Sequence, residues 1–341
     1  MRTIRSRRHG VTALALAAIA LVCPGYACTS TSTCEAHFDA SFVQIRVDQL
    51  TFDATRWQED LALLQGIGVR LVVLQFTGDE HGPYDGRAGH APVAALLDAA
   101  SQLGMDAVLG LSRDPAWPSD AAVEGAAPPL YDRDAARTLG VLCARSPACI
   151  GWYIPQEIED QTWSAPARLH ALRGYLARTA QTLHALTPGR LVMIAPFFSG
   201  SLDPVAYAAW LRTVIAATGI DVVMLQDGVG TGRATAELAG RYLASLGPAL
   251  ALIGVRLWSV AELFRQVHGP PRDDQPFEAV PIDPAALRHS LAIEALLVDR
   301  VVAFSILDYM DPRRAGSSRQ LYQDYAVHHR AAATSGGSPC Q

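Results

Sequence analysis

The chain has 341 residues, 50% of them hydrophobic and 18% charged, with a formal net charge of -5. This is a globular composition, long enough for one large core or two modest ones. A mild negative balance with no basic block excludes nucleic acid as the expected partner, because phosphate binding needs clustered cations. Every basic side chain other than His is Arg, so chemistry through a Schiff-base or phosphate-loop lysine is excluded as well.

The first element in chain order reads as an export signal over residues 1–27. Arg2, Arg5, Arg7 and Arg8 form a basic stretch, and Val11 to Cys23 is an apolar stretch too short to span a bilayer. Gly25-Tyr26-Ala27 supplies the small residues a signal peptidase reads, and residues 28–40 follow as a linker. The expected location is therefore periplasmic or extracellular, with no transmembrane segment in the mature chain.

Six cysteines fit an oxidising compartment. Cys23 leaves with the signal. Cys143 and Cys149 flank a short stretch that a disulfide can close, and Cys34 and Cys340 lie at opposite ends of the mature chain, which closure of a barrel brings together. Cys28 is then left over. A lipid anchor on Cys28 is one expectation, although Pro24-Gly25-Tyr26-Ala27 lacks the usual Leu, and simple secretion is the other.

From Ser41 to residue 330, strand-like apolar runs alternate with helix-period runs, the mark of repeated βα units. Eight strands are predicted: Phe42–Val47, Arg70–Phe76, Ala107–Leu111, Ile150–Pro155, Leu191–Pro196, Val222–Gln226, Ala251–Leu257 and Val301–Ile306. Helix starts are marked by Asp53, Pro92, Asp203-Pro204 and Asp283-Pro284, and helix ends by Gly68 and Gly104. Eight units over this length predict an α/β fold, a single (β/α)8 barrel. The competing open sheet wants a Gly-rich turn after its first strand, and Asp48-Gln-Leu-Thr-Phe52 does not supply one. Residues 331–341 read as a small polar tail.

Alternation along strands shows what faces the barrel interior. In the first strand Val43, Ile45 and Val47 face the helices, leaving Gln44, Arg46 and Asp48 inward. In the fourth, Ile150, Trp152 and Ile154 take the apolar side, so Tyr153 and Glu157 share the inner face. In the seventh, Ile253, Val255 and Leu257 point out, leaving Arg256 and Trp258 inward; Gln75 closes the second strand. A purely structural interior would be Val, Ile and Leu. Polar groups buried there without partners cost several kcal/mol each, about 2–7, so their convergence points to a site, with internal ion pairs such as Arg46–Asp48 as the plainer alternative.

Two glutamates are the expected catalytic pair. Glu157 closes Gly151-Trp-Tyr-Ile-Pro-Gln-Glu157 after strand four, and Glu262 follows Leu257-Trp-Ser-Val-Ala261 after strand seven. Carboxyl ends of strands are where barrel enzymes keep their chemistry. A retaining glycosidase needs two carboxyls about 5 Å apart, one protonated and one ionised. Glu157 is assigned as general acid/base and Glu262 as nucleophile, with Arg256 holding Glu262 ionised and Trp152 and Pro155 raising the pKa of Glu157. Both glutamates also fit as helix-start acids.

Trp57…Leu61…Gly68, Gly151 to Glu157, Leu225-Gln-Asp-Gly-Val-Gly230 and Leu257-Trp258…Glu262-Leu-Phe264 resemble a bacterial domain-of-unknown-function family described as barrel-fold glycoside hydrolases. The chain is also distantly similar to the clan of retaining glycosidases with catalytic glutamates on strands four and seven. That clan usually has Asn before its acid/base; this chain has Gln156. The resemblance implies a carbohydrate substrate in the cell envelope or outside the cell.

Gln226 and Asp227 end strand six, and Asp308 and Tyr309 follow strand eight; all four are candidates to bind sugar hydroxyls. Trp117, Trp163, Phe197, Phe198 and Trp258 fall where aromatic faces can stack on pyranose rings. Val267 to Ile282 is a long loop able to act as a lid. Asp79-Glu80-His81 is the one compact cluster of metal-binding types and lacks a paired-His motif, so neither metal nor cofactor is expected. The rival function is a barrel that binds polysaccharide without cutting it.

Overall fold

The computed structural model describes residues 36–79, 81–112, 117–119, 130–270 and 272–335. Cys28, Cys34, Glu80, Cys340 and the export signal lie outside the described residues.

Eight parallel strands close into one barrel: β1 (Ala40–Val43), β2 (Leu71–Leu74), β3 (Asp106–Gly110), β4 (Cys149–Ile154), β5 (Leu191–Ile194), β6 (Val222–Gln226), β7 (Arg256–Glu262) and β8 (Val301–Phe304). Closure comes from β1 pairing with both β2 and β8, through Ala40 with Leu71 and with Val302. The long helices among the described residues are α1 (Ala54–Gln65), α2 (Pro92–Leu103), α3 (Leu130–Arg145), α4 (Pro166–Leu186), α5 (Pro204–Ile215), α6 (Ala236–Ala251), α7 (Pro284–Glu294) and α8 (Ser317–Ser335), with a single helical turn over Ile306–Tyr309 after β8. This is the (β/α)8 fold the sequence predicts.

Local signals explain where the helices begin. The Asp53 carboxylate accepts the Arg56 amide at 2.9 Å, Asp203 accepts those of Val205 and Ala206, and Asp283 those of Ala285 and Ala286. Each satisfies amides that the first turn leaves without partners. Pro204 and Pro284 sit at the first helical position, where no amide is needed.

Two apolar layers follow from strand alternation. Val43, Leu74, Leu109, Trp152, Ile154 and Leu257 point outward into the core shared with the helices. Phe42, Val73, Val108, Tyr153, Met224, Trp258 and Val260 fill the interior. The parity inferred for Trp152, Tyr153 and Ile154 in β4, and for Leu257 against Trp258 in β7, is therefore the observed one; Ile150 instead packs against the interior, because the pairing of β4 with β3 shifts register between Cys149 and Gly151.

Two strands, β1 and β7, have a boundary that differs from expectation by more than two residues. β1 ends at Val43, and Val47 lies 86% exposed in a short turn rather than against the helices. β7 begins at Arg256, because α6 continues through Ala251 and a turn with Gly254 at φ +72° precedes the strand. An apolar run such as Ala249–Leu257 suits helix or strand equally well, and periodicity does not divide it. The later start carries β7 through to Glu262, so this residue belongs to the strand itself.

Cys143 and Cys149 form a disulfide joining the end of α3 to the start of β4. Among the described residues, no helix is long and apolar enough to cross a membrane.

Candidate active site

A cavity of about 640 Å³ opens at the carboxyl end of the barrel strands. Its floor and walls follow from parity. Phe42, Val73, Met224 and Val260 face inward, so two residues further along Gln44, Gln75, Gln226 and Glu262 face the cavity, all of them in its lining. Tyr153, Pro155, Gln156 and Glu157 line it from β4, and Tyr309 from the turn after β8. Gln44 donates to the Gln75 side chain, and Gln226 donates to the Ala195 carbonyl at 2.9 Å. These bonds hold the amides in fixed orientations around the mouth.

The two glutamates both line this cavity, in different environments. Glu262 is 5% exposed, and its Oε2 accepts the Thr231 amide at 2.8 Å. Burial raises its pKa, while the Thr231 amide, Arg233 and the Gly230 amide draw it back down. Glu157 is an exposed residue of the lining. The surrounding protein nevertheless dehydrates it enough to raise its pKa, and Arg233 opposes the rise. Its backbone is fixed by the Trp117 indole, which donates to the Glu157 carbonyl at 2.7 Å.

The neighbouring acids have separate, structural tasks. Glu159 accepts the amides of Gln161 and Thr162, and Asp160 accepts those of Ser199 and Leu202. Glu157 is therefore the acid of this segment that the cavity presents.

Several expected site residues stand elsewhere. Arg256 is exposed at the amino end of β7, in register with Val222, at the opposite end of the strand from Glu262. It cannot hold Glu262 ionised. Arg233, which follows the turn after β6, is the cation that acts on both glutamates, with its guanidinium 4.3 Å above the Phe197 ring. Trp258 is 2% exposed inside the barrel with Arg300 over its ring, which makes it interior packing rather than a sugar platform. Phe197 supports Arg233 outside the cavity lining. Trp163 and Phe198 are core residues, the first 5.0 Å behind Trp117 and the second stacked on Tyr242. Trp152 points away from the site and donates to Thr187.

Arg46 and Asp308 pair with each other at 3.2 Å, tying the end of β1 to the segment after β8, and Arg46 also approaches Asp48. Neither lines the cavity. Asp227 is buried behind Glu262, with Oδ2 3.4 Å from the Glu262 amide. It is out of reach of a ligand.

Phe42, Phe76, Thr231, Phe264, Phe277 and Phe304 also line the cavity and are not among the expected site residues. Phe42 and Phe304 stand on inward parity and were readable in principle. Phe277 was not, because its place depends on a hairpin, Phe264–His268 against Glu278–Pro281, that occupies most of the segment expected as the loop Val267–Ile282 and begins before it. The Phe264 and Phe277 rings meet edge to face at 5.8 Å, so this hairpin walls the cavity.

Residues 38–316 match the family Domain of unknown function (DUF4434), and the chain belongs to it. An uncharacterized Escherichia coli (strain K12) protein, YbcH, is 34% identical over 196 residues, spanning 55% of this chain and 64% of that one. Among solved structures, a "putative alpha-L-fucosidase" from Bacteroides thetaiotaomicron VPI-5482 is similar at TM-score 0.68 and 16% identity, covering 86% of this chain and 94% of that chain. An endo-1,4-beta-mannanase from Rhizomucor miehei follows at TM-score 0.56 and 10% identity, with 87% and 95% covered. A beta-galactosidase from the psychrophilic Marinomonas ef1 has TM-score 0.55 and 12% identity, with 88% and 60% covered. At these identities the likeness is one of fold: this is a barrel of the kind those glycosidases use.

Proposed function

We propose that this protein is a glycoside hydrolase that cuts a cell-envelope or extracellular polysaccharide by a retaining two-carboxylate mechanism. The observation that carries the reading is that Glu157 and Glu262, from the carboxyl ends of β4 and β7, line one aromatic-walled cavity.

The chemistry follows from their surroundings. Glu262, supported by the Thr231 amide, attacks the anomeric carbon as a carboxylate. The glycosidic C–O bond breaks as Glu157 passes its proton to the leaving oxygen. Glu157, now ionised, takes a proton from water; the oxygen of that water attacks the anomeric carbon, and Glu262 departs as a carboxylate. Burial favours the protonated form that Glu157 needs at the outset. Trp117, Tyr153, Phe264 and Tyr309 supply ring faces for pyranose stacking, and Gln44, Gln75, Gln156 and Gln226 supply amides for hydroxyls.

Export is part of the same reading. Residues 1–27 have the pattern of a signal, and the Cys143–Cys149 bridge suits an oxidising compartment. Mass spectrometry of the mature amino terminus separates an anchored Cys28 from simple secretion.

A screen for reducing ends released from glycans tests the function. Wild-type protein releases sugar, and Glu157→Gln and Glu262→Gln fold but do not. Glycan binding without release, equal in all three proteins, would instead establish a binding barrel.

A further inference from the structure

Behind the cavity, three buried carboxyl groups act on one another. Glu262 is 5% exposed, Asp227 2% and Glu294, the last residue of α7, 1%. Asp227 and Glu262 come from adjacent strands, and α7 packs against β7. The charged groups that act on this cluster are few. Burial first, then Glu294 and Glu262, push the Asp227 pKa well up; Glu262 raises that of Glu294 while Asp227 lowers it; Arg233 acts on Glu262 alone. Ser259 on β7 is the neutral group facing Glu294.

Three charged carboxylates do not share such a space. Like charges at short range in a low dielectric repel by several kcal/mol, so a proton is taken up instead. The backbone contacts indicate where it resides. Asp227 accepts the Val229 amide at 3.0 Å through Oδ1, and its Oδ2 faces the Glu262 amide. Neither oxygen of Glu294 has a donor at hydrogen-bond geometry, and the Ser259 hydroxyl also lacks a partner there. Glu294 still lies near enough to Asp227 and Ser259 for both to draw its pKa down against burial, which leaves it at about 7. Among the described residues, no group of three His, Cys, Asp or Glu side chains is arranged to hold a metal ion.

We propose that Asp227 and Glu294 share one proton directly behind Glu262, and that this shared proton allows Asp227 to fix the Glu262 backbone without placing a second full charge beside its carboxylate. Asp227 and Glu294 are thus positioning residues. The positioning role rests on Glu262 being the nucleophile proposed above, whereas the proton sharing does not.

Infrared titration in a Glu157→Gln background, which removes the proton of the general acid, tests the sharing directly. The carbonyl band of a protonated carboxylic acid still persists there well above the usual carboxylate range, to about pH 7, and adding Glu294→Gln removes it. Absence of such a band at about pH 6 overturns the proposal, whether or not the variant folds.

Thermal melting gives a second arm that needs no substrate. The folded pKa of Glu294, about 7, lies above its usual 4.5. The stability of wild type therefore falls as pH rises from the lower value through the higher one. Glu294→Gln loses the part of this fall that Glu294 contributes, so its Tm relative to wild type climbs by up to about 5 °C across that window. A constant difference contradicts the proposal.

The positioning role is read from activity. Above neutrality wild type acquires an extra charge behind Glu262 that the variant lacks, so the variant-to-wild-type ratio of kcat/KM rises roughly three- to tenfold through pH 7. A pH-independent ratio reduces Glu294 to a structural residue. If no glycan is cleaved but the infrared and melting results hold, the glycosidase reading fails and the proton-sharing pair stands.

Discussion

Gly230 and Glu262 approach so closely that no side chain fits between them. A Cβ on Gly230 would lie 2.8 Å from the Glu262 Cβ, 3.0 Å from its Oε2 and 2.4 Å from the Phe264 carbonyl. The glycine permits the turn after β6 to bring the Thr231 amide onto the carboxylate. Gly230→Ala therefore displaces Glu262 or the turn, and a displacement of about 1 Å at a reacting group costs on the order of 10²-fold in rate. The kinetics of the purified variant, compared with its circular dichroism, check that activity is lost while the fold is kept.

The acid role of Glu157 depends on the leaving group. Glu157→Gln removes general acid catalysis, worth roughly 10²- to 10⁴-fold for an alcohol leaving group. An activated aryl glycoside departs without a proton, so its glycosylation step loses far less. Equal losses on both substrate types contradict the assignment of Glu157.

Arg233 sets the pH window. Activity requires Glu262 ionised, so it falls as pH drops through the Glu262 pKa; it requires Glu157 protonated, so it falls as pH rises through the Glu157 pKa. Arg233 lowers both values. Arg233→Met raises both, and the whole bell moves to higher pH. A profile that narrows or stays in place contradicts a cation acting on both carboxyls.

The Cys143–Cys149 bridge closes a loop with a sequence separation of 6. Loop-closure entropy for so short a span amounts to about 2 kcal/mol. Replacing both residues with Ala lowers the denaturant midpoint correspondingly and leaves kcat unchanged, because the bridge lies at the amino end of β4, away from the cavity.

The fold was readable because its signals are local: caps at Asp53, Asp203 and Asp283, and apolar alternation in most strands. The same alternation placed Gln44, Gln75 and Tyr153 at the cavity, and position at a strand end placed Gln226 there. It failed for Arg256, where shifting the start of one strand moved a residue from the active end to the opposite one. Arg233, Phe277 and Glu294 were missed for a different reason. Each gains its place from a contact between segments distant in sequence, and one Glu in the run Ser290-Leu-Ala-Ile-Glu294 carries no sign that it will be buried beside two other acids.

The central claim is that Glu262 attacks the sugar while Glu157 supplies the proton. Proton NMR of the first sugar released, recorded before mutarotation, tests it most directly. The account predicts the same anomeric configuration as the substrate, and no release from Glu262→Gln. Product of inverted configuration, or undiminished turnover by Glu262→Gln, contradicts it.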